Sequence, residues 1–236
     1  MDRYNLTARF YPMMLFYLPV LFMLLTIGWD ITKYAQYGTS LGVAGMLSYL
    51  LANMGRDAGK QKEPNLWKSW GGAPTTQLFR WSNNVIDVYT KARYHKKMQR
   101  ACAVPYELDD LFEHDQPYDA DEIYRSWTKF VIGQTRDTSK YRLIFKENMS
   151  YGFRRNLWGL KPYAIILLLV LMTINYLFFV ISVGDWRLEC LPVFFFTIES
   201  LLFILFLFWI FIVTPKWVSI PAFAYAERLQ EAIDTI

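Results

Sequence analysis

Four stretches of the chain, residues 10–29, 34–55, 162–184 and 190–215, hold no Lys, Arg or Asp and only one Glu, Glu199. A helix needs about 20 apolar residues to cross a ~30 Å hydrocarbon core. In lipid it satisfies its own backbone polar groups. Each stretch is long enough. The second is the least apolar, since it carries Gly38, Gly42, Gly45, Ser40 and Ser48. Composition points the same way. Hydrophobic residues make up 54% of the chain and charged residues 19%, against about 25% charged in soluble proteins. That balance argues against a soluble enzyme, a disordered chain and a disulfide scaffold. The first stretch is long for a signal-peptide core, and no A-x-A site follows it.

Lys and Arg set the orientation. Residues 56–161 carry 19 of the chain's 25 bases, while the loops 30–33 and 185–189 carry one each. The basic side is expected to be cytoplasmic. The expected fold is an all-α integral membrane protein of the cell inner membrane, with two transmembrane helical hairpins flanking a mostly helical cytoplasmic domain. Its parts are a cytoplasmic N-terminus (1–9), a first hairpin (10–55), the domain (56–161), a second hairpin (162–215) and a cytoplasmic amphipathic tail (216–236). Cys102 and Cys190 then fall on opposite sides of the bilayer, so no disulfide is expected between them.

Within 56–161, Gly71-Gly72-Ala73-Pro74 reads as a turn, with Thr75 or Thr76 capping the next helix. Residues 86–101 read as a basic amphipathic helix. Lys91, Arg93, Lys96, Lys97 and Arg100 form its basic patch, and Val88, Tyr89, Ala92 and Met98 its apolar side. An acidic run follows from Glu107 to Glu122 and is the expected partner of that patch; a phosphate-bearing ligand or nucleic acid is the alternative. A second helix is expected from near Asp119, with Ile123, Trp127, Phe130 and Val131 as its stripe. Residues 139–160 are expected to run into the third span. The bases nearest the membrane, among them Arg56, Lys60, Arg154, Arg155 and Lys161, are expected to meet anionic headgroups. In the tail, Ala222, Ala226, Leu229 and Ile233 suit a helix docking on the domain or on the membrane surface.

No catalytic, cofactor-binding or metal-binding group stands out. Gly55-Arg56-Asp57-Ala58-Gly59-Lys60 departs from a phosphate loop: the glycines are one residue too close, Gln61 replaces Ser or Thr, and a membrane segment precedes it. It reads as a helix exit at Gly55. His114 is a candidate acid–base group, although a lone exposed histidine more often has no chemical role, and no nucleophile or base stands beside the acidic run. Glu199 is the most informative single residue, because a central acid costs about 2.5–3.5 kcal/mol on insertion scales. Counting from the loop at Arg187, Asn175 reaches the same depth, so a hydrogen bond between the two is expected. The intramembrane polar set is Glu199, Asn175 and Asn53. Ser40, Ala44, Ser48 and Ala52 fall four residues apart, as helix-packing or pore-lining positions require. Pro12 and Pro19 are expected to bend the first span.

In layout, two hairpins around a cytosolic domain, the chain resembles the small four-span bacterial membrane proteins of anti-phage defence systems. That resemblance implies a membrane effector or the membrane partner of a cytosolic sensor, and it carries no residue roles. The first expectation is therefore an oligomeric inner-membrane effector, pore-forming or membrane-perturbing, controlled through its cytoplasmic domain. Its partners are lipid, further copies of itself and a cytosolic protein. The second is a membrane-anchored subunit that recruits a cytosolic protein. A transporter ranks third, since transporters need more intramembrane polar groups, and so does a membrane enzyme, since no nucleophile–base set is present.

Overall fold

The computed structural model describes residues 3–26, 38–103 and 109–236, with side chains described outside 25–51. It is helical, and no strand occurs among the described residues. The first helix, α1 (Tyr11–Thr26), follows a π-helical turn at Asn5–Phe10. Then come α2 (Gly38–Ser69), the short α3 (Pro74–Gln77), α4 (Val88–Ala101), α5 (Asp110–Asp115) and α6 (Pro117–Gln134). The longest helix, α7 (Arg142–Val183), precedes α8 (Val193–Leu207), which ends in a second π turn at Phe208–Ile212. The last helix is α9 (Pro215–Glu231). Among the described residues, three helical stretches are long and apolar enough to cross a membrane: Asn5–Leu24, Arg142–Val183 and Val193–Ile212.

The chain divides into two compact units. The first comprises residues 1–62 and 152–218, and the second 63–151 and 219–236.

In the first unit, every third or fourth residue of α7 turns inward. Ala164, Leu168, Leu171, Asn175 and Phe179 are buried, as are Phe195, Ile198 and Leu202 on α8. Between the two helices, Gly184 adopts φ +76° and its N–H bonds to Val180 O at 2.9 Å. A left-handed residue just past a helix end is where glycine costs least. At the other end of α8, Thr214 Oγ1 accepts from Trp217 N at 3.2 Å, and Pro215 follows it as first residue of α9. This is the order a helix start favours.

Gly55 does not end a helix; α2 runs through it to Ser69. The reason is packing against α7. A Cβ at Gly55 would lie 3.1 Å from Leu160 Cδ1, and one at Gly59 would lie 2.6 Å from Asn156 Oδ1. A Cβ at Gly159 would run into the backbone of Ala58 and Gly59. Glycines four apart on one helix, facing a glycine on another, permit this approach.

The second unit buries Phe79, Tyr94, Met98, Tyr124, Trp127, Val131 and Ile144 together with Leu229 and Ile233. Ala222 and Ala226 are buried too, so the tail's apolar face packs into this unit's core. Two expectations are corrected. Neither Thr75 nor Thr76 caps α3: its N-cap is Ala73, with Pro74 at the first position. Of the expected apolar side of α4, Met98 is buried but Val88, Tyr89 and Ala92 are exposed; Lys91, Tyr94 and His95 share the buried face with Met98.

Candidate functional site

Asn175 sits in the α7–α8 seam, fully buried, and its Nδ2 donates to Glu199 Oε2 at 2.9 Å. That is the expected hydrogen bond. Two further features follow from the geometry. Asn175 Oδ1 is buried with no hydrogen-bond partner among the described residues. Glu199 is half-buried and forms no other hydrogen bond among the described residues. A carboxamide can make up to four hydrogen bonds and a carboxyl group more than one, so the pair retains unused capacity. Asn53, on α2, is half-buried, and Ala52 is buried. The side chains of Ser40, Ala44 and Ser48 lie outside the described residues.

Polar side chains of α7 also serve the ends of the neighbouring helices. Pro12 has no N–H to return to the Ala8 carbonyl four residues back. Asn156 Nδ2 supplies the missing donor, at 2.6 Å from Ala8 O. Lys161 Nζ donates to Ile210 O at 3.0 Å and to Val213 O at 2.8 Å, where the π turn leaves carbonyls without helical partners. Arg154 donates to Trp217 O at 2.8 Å and lies over that indole ring. For Lys161 the cation stands at a helix C-terminus, where dipole and hydrogen bond both favour it; Trp217 O lies instead in the first turn of α9, four residues before Pro221, which has no N–H to give it.

These contacts change the picture of the expected headgroup anchors. Arg155 is buried, with its guanidinium on Asn156 Oδ1. Lys161 and Arg154 are engaged on protein carbonyls. Arg56, half-buried, and Lys60, exposed, remain open to headgroups.

In the second unit the basic patch separates into two parts. Lys91 is 3% exposed. Its ammonium donates to Arg80 O at 2.7 Å and to Asn83 O. Burial pushes its pKa down, partly offset by the nearby Glu113. Arg93 and Lys97 point outward, yet their partner is Asp234 in the tail, not the acidic run. Arg93 Nη2 lies 2.9 Å and Lys97 Nζ 3.5 Å from the Asp234 carboxylate. Lys96 and Arg100 are exposed. The helical turn at 232–235 brings Asp234 beside α4, which spacing along the chain could not reveal.

The acidic run has a different use. Glu113 is buried, and its carboxylate accepts from Trp81 N and Tyr124 Oη, each at 2.8 Å, and from Ser82 Oγ at 3.2 Å. Burial, followed by that carboxylate, drives the Tyr124 phenol pKa well up. Asp121 pairs with Arg80 at 2.7 Å, which raises the guanidinium's pKa. His95 Nε2 lies 2.8 Å from Phe79 O, among the rings of Phe79, Trp81, Tyr124 and Trp127. The irregular segment 78–87 thus has its backbone held by three buried polar side chains, Lys91, His95 and Glu113. Sequence reasoning missed this trio. The one available signal was a Lys–His pair at 91 and 95 on the face that also carries Met98. His114 and its neighbour Asp115 are exposed.

This polar set is saturated by protein and offers no nucleophile–base pair. The first unit's Asn175–Glu199 pair is the unsaturated one. Its half-exposed Glu199 carboxyl can exchange hydrogen bonds with water or with another protein copy. Comparison with protein-family models, with curated proteins and with solved structures found no match.

Proposed function

We propose that the chain is a four-span inner-membrane protein that self-assembles and acts on the bilayer as an effector. Both termini and residues 56–161 lie in the cytoplasm in this reading. The observation that carries it is the incomplete polar pair: a half-exposed Glu199 carboxyl whose one hydrogen bond among the described residues comes from the buried Asn175. Hydrocarbon does not complete that carboxyl, whereas a second copy or a file of water does. Exposed apolar side chains such as Ile174, Phe178, Phe196 and Phe203 flank the pair and suit lipid or a neighbouring protomer. Residues 34–55 supply the fourth span, and the Ser40-Ala44-Ser48-Ala52 ladder suits close helix approach. The concentration of bases in 56–161 supports the orientation. The layout's resemblance to four-span anti-phage proteins supports a defence role, with a cytosolic partner acting on the second unit as trigger.

Reconstitution tests this reading. The purified protein is expected to run as a homo-oligomer in mild detergent and to release ions from loaded vesicles. Glu199→Gln and Ser48→Leu are expected to reduce that flux. A monomer, or flux indifferent to both changes, overturns the proposal.

A second reading, a membrane-anchored subunit recruiting a cytosolic protein, is favoured by one observation. Val85, Val88 and Tyr89 at the start of α4 are 58%, 59% and 84% exposed, a concentration of apolar surface suited to a partner. Capture of a partner by the full-length protein, lost on Tyr89→Ser, supports it.

A further inference from the structure

Helices α1, α2 and α7 of the first unit line an open cavity of about 400 Å³. Its wall includes Phe16 and Tyr17 from α1, Met54, Asp57 and Gln61 from α2, and Tyr163 from α7. On α2, Met54, Asp57 and Gln61 fall at i, i+3 and i+7, so they share one face, with Ala58 lining the cavity beside them. That face passes from thioether to carboxylate to carboxamide within two turns. It lies where the apolar stretch 34–55 gives way to the charged residues from Arg56 onward. An amphiphile at a membrane surface shows the same change of polarity over the same distance.

Asp57 is exposed, and neither Asp57 nor Gln61 forms a hydrogen bond or ion pair among the described residues. The neighbouring base Lys62 does not neutralise Asp57. Its ammonium donates to Gly159 O at 2.9 Å and lies 5.7 Å from the centre of the Tyr163 ring. The cavity therefore presents an apolar wall ending in a carboxylate that pairs with none of the described residues; Lys60, outside the lining, stands about one turn further along α2 and is exposed.

We infer that this cavity binds a phospholipid with a primary-amine headgroup, drawn from the surrounding bilayer. The inference rests on the membrane reading above. One acyl chain lies against Phe16 and Met54. The ammonium group donates to Asp57, and the phosphodiester is offered the Gln61 amide and the Lys60 ammonium. A primary ammonium has three N–H donors and forms a short, charge-assisted bond to a carboxylate. A trimethylated ammonium donates none, and an anionic head is repelled by Asp57. The volume lies within the roughly 300–1,000 Å³ typical of small-molecule sites.

Native mass spectrometry of the full-length protein in mild detergent tests the assignment, with phosphatidylethanolamine, phosphatidylcholine and phosphatidylglycerol of matched chains as probes. The expected result is at least fivefold greater retention of phosphatidylethanolamine than of the other two. Asp57→Asn, nearly isosteric and at an exposed position, is expected to abolish that preference. Ala58→Trp, which fills the cavity, is expected to reduce retention of all three. Equal retention of the three lipids by the unaltered protein, a preference that survives Asp57→Asn, or occupancy by detergent alone overturns the inference. Alkaline carbonate extraction separates this failure from failure of the membrane reading. Protein that stays in the membrane but shows no lipid preference refutes only the cavity assignment; protein that is extracted refutes both.

Discussion

Replacing Glu113 by Ala removes the acceptor that holds the 78–87 segment against α5 and α6. Two of its bonds, from Trp81 N and Tyr124 Oη, are 2.8 Å long. The Ser82 Oγ bond at 3.2 Å is weaker, and the Ser82 N contact at 3.4 Å counts for little. Tyr124 is fully buried, so its orphaned hydroxyl bears the full desolvation cost of about 1–3 kcal/mol. Trp81 is half-exposed and its N–H can turn to water, so its loss falls near the net value of about 1 kcal/mol. The sum is roughly 2–4 kcal/mol. Amide hydrogen exchange on the intact protein in detergent reads this locally. Peptides spanning 78–95 are expected to exchange about 30-fold faster or more in Glu113→Ala, while those of α8 stay unchanged. Tyr124→Phe removes one donor, so in the double variant the two effects should fall short of additivity by about 1 kcal/mol or more. Additive effects, or a loss below about 1 kcal/mol, would refute the claim that this carboxylate organises the segment.

Three further predictions follow from the same contacts. Lys91→Met, similar in length but without the ammonium, strands Arg80 O and Asn83 O. It should destabilise the second unit by about 1–3 kcal/mol, measured by urea unfolding in detergent. Gly159→Ala forces a methyl group into the backbone of α2; about 1–3 kcal/mol should appear as a lower midpoint for thermal aggregation. Arg93, with Lys97 contributing, holds the Asp234 carboxyl pKa below its usual value. A lowered carboxyl pKa stabilises above the unfolded value, and that contribution is lost as pH falls through the folded one. Asp234→Asn should therefore loosen residues 232–236 at pH 7 and make no difference in acid below that range. The effect should stay under about 1 kcal/mol, because both partners are more than a third exposed. Equal tail protection in the two proteins at pH 7 would contradict the latch.

Membrane character was plain in the sequence because uncharged runs of this length have few soluble explanations. The Asn175–Glu199 bond was also legible: two helices joined by a short loop fix depth by counting. The stripe containing Trp127 and Val131 followed from helical spacing alone, and both residues are buried. What stayed hidden were partnerships between distant segments. Asp234 meets Arg93 across 141 residues, and Asn156 reaches Ala8 across 148. Nothing in local periodicity encodes such pairs. Gly55 misled for a physical reason: glycine ends helices by adopting positive φ, but it also lets two helices touch, and only the facing Leu160 and Gly159 distinguish the two uses. Lys91 misled similarly, since a lysine among bases reads as surface until the loop carbonyls it serves are in place.

The central claim is that the bilayer separates residues 56–161 from the loop at 185–189, and the two native cysteines test it directly. Cys102 and Cys190 are both unpaired and half-buried. Single-cysteine variants, Cys190→Ser and Cys102→Ser, would be expressed in cells and treated with a membrane-impermeant thiol reagent. Cys190 is expected to be labelled in intact cells and Cys102 only after the membrane is permeabilised. Labelling of Cys102 from outside, or equal labelling of both cysteines without permeabilisation, would contradict it.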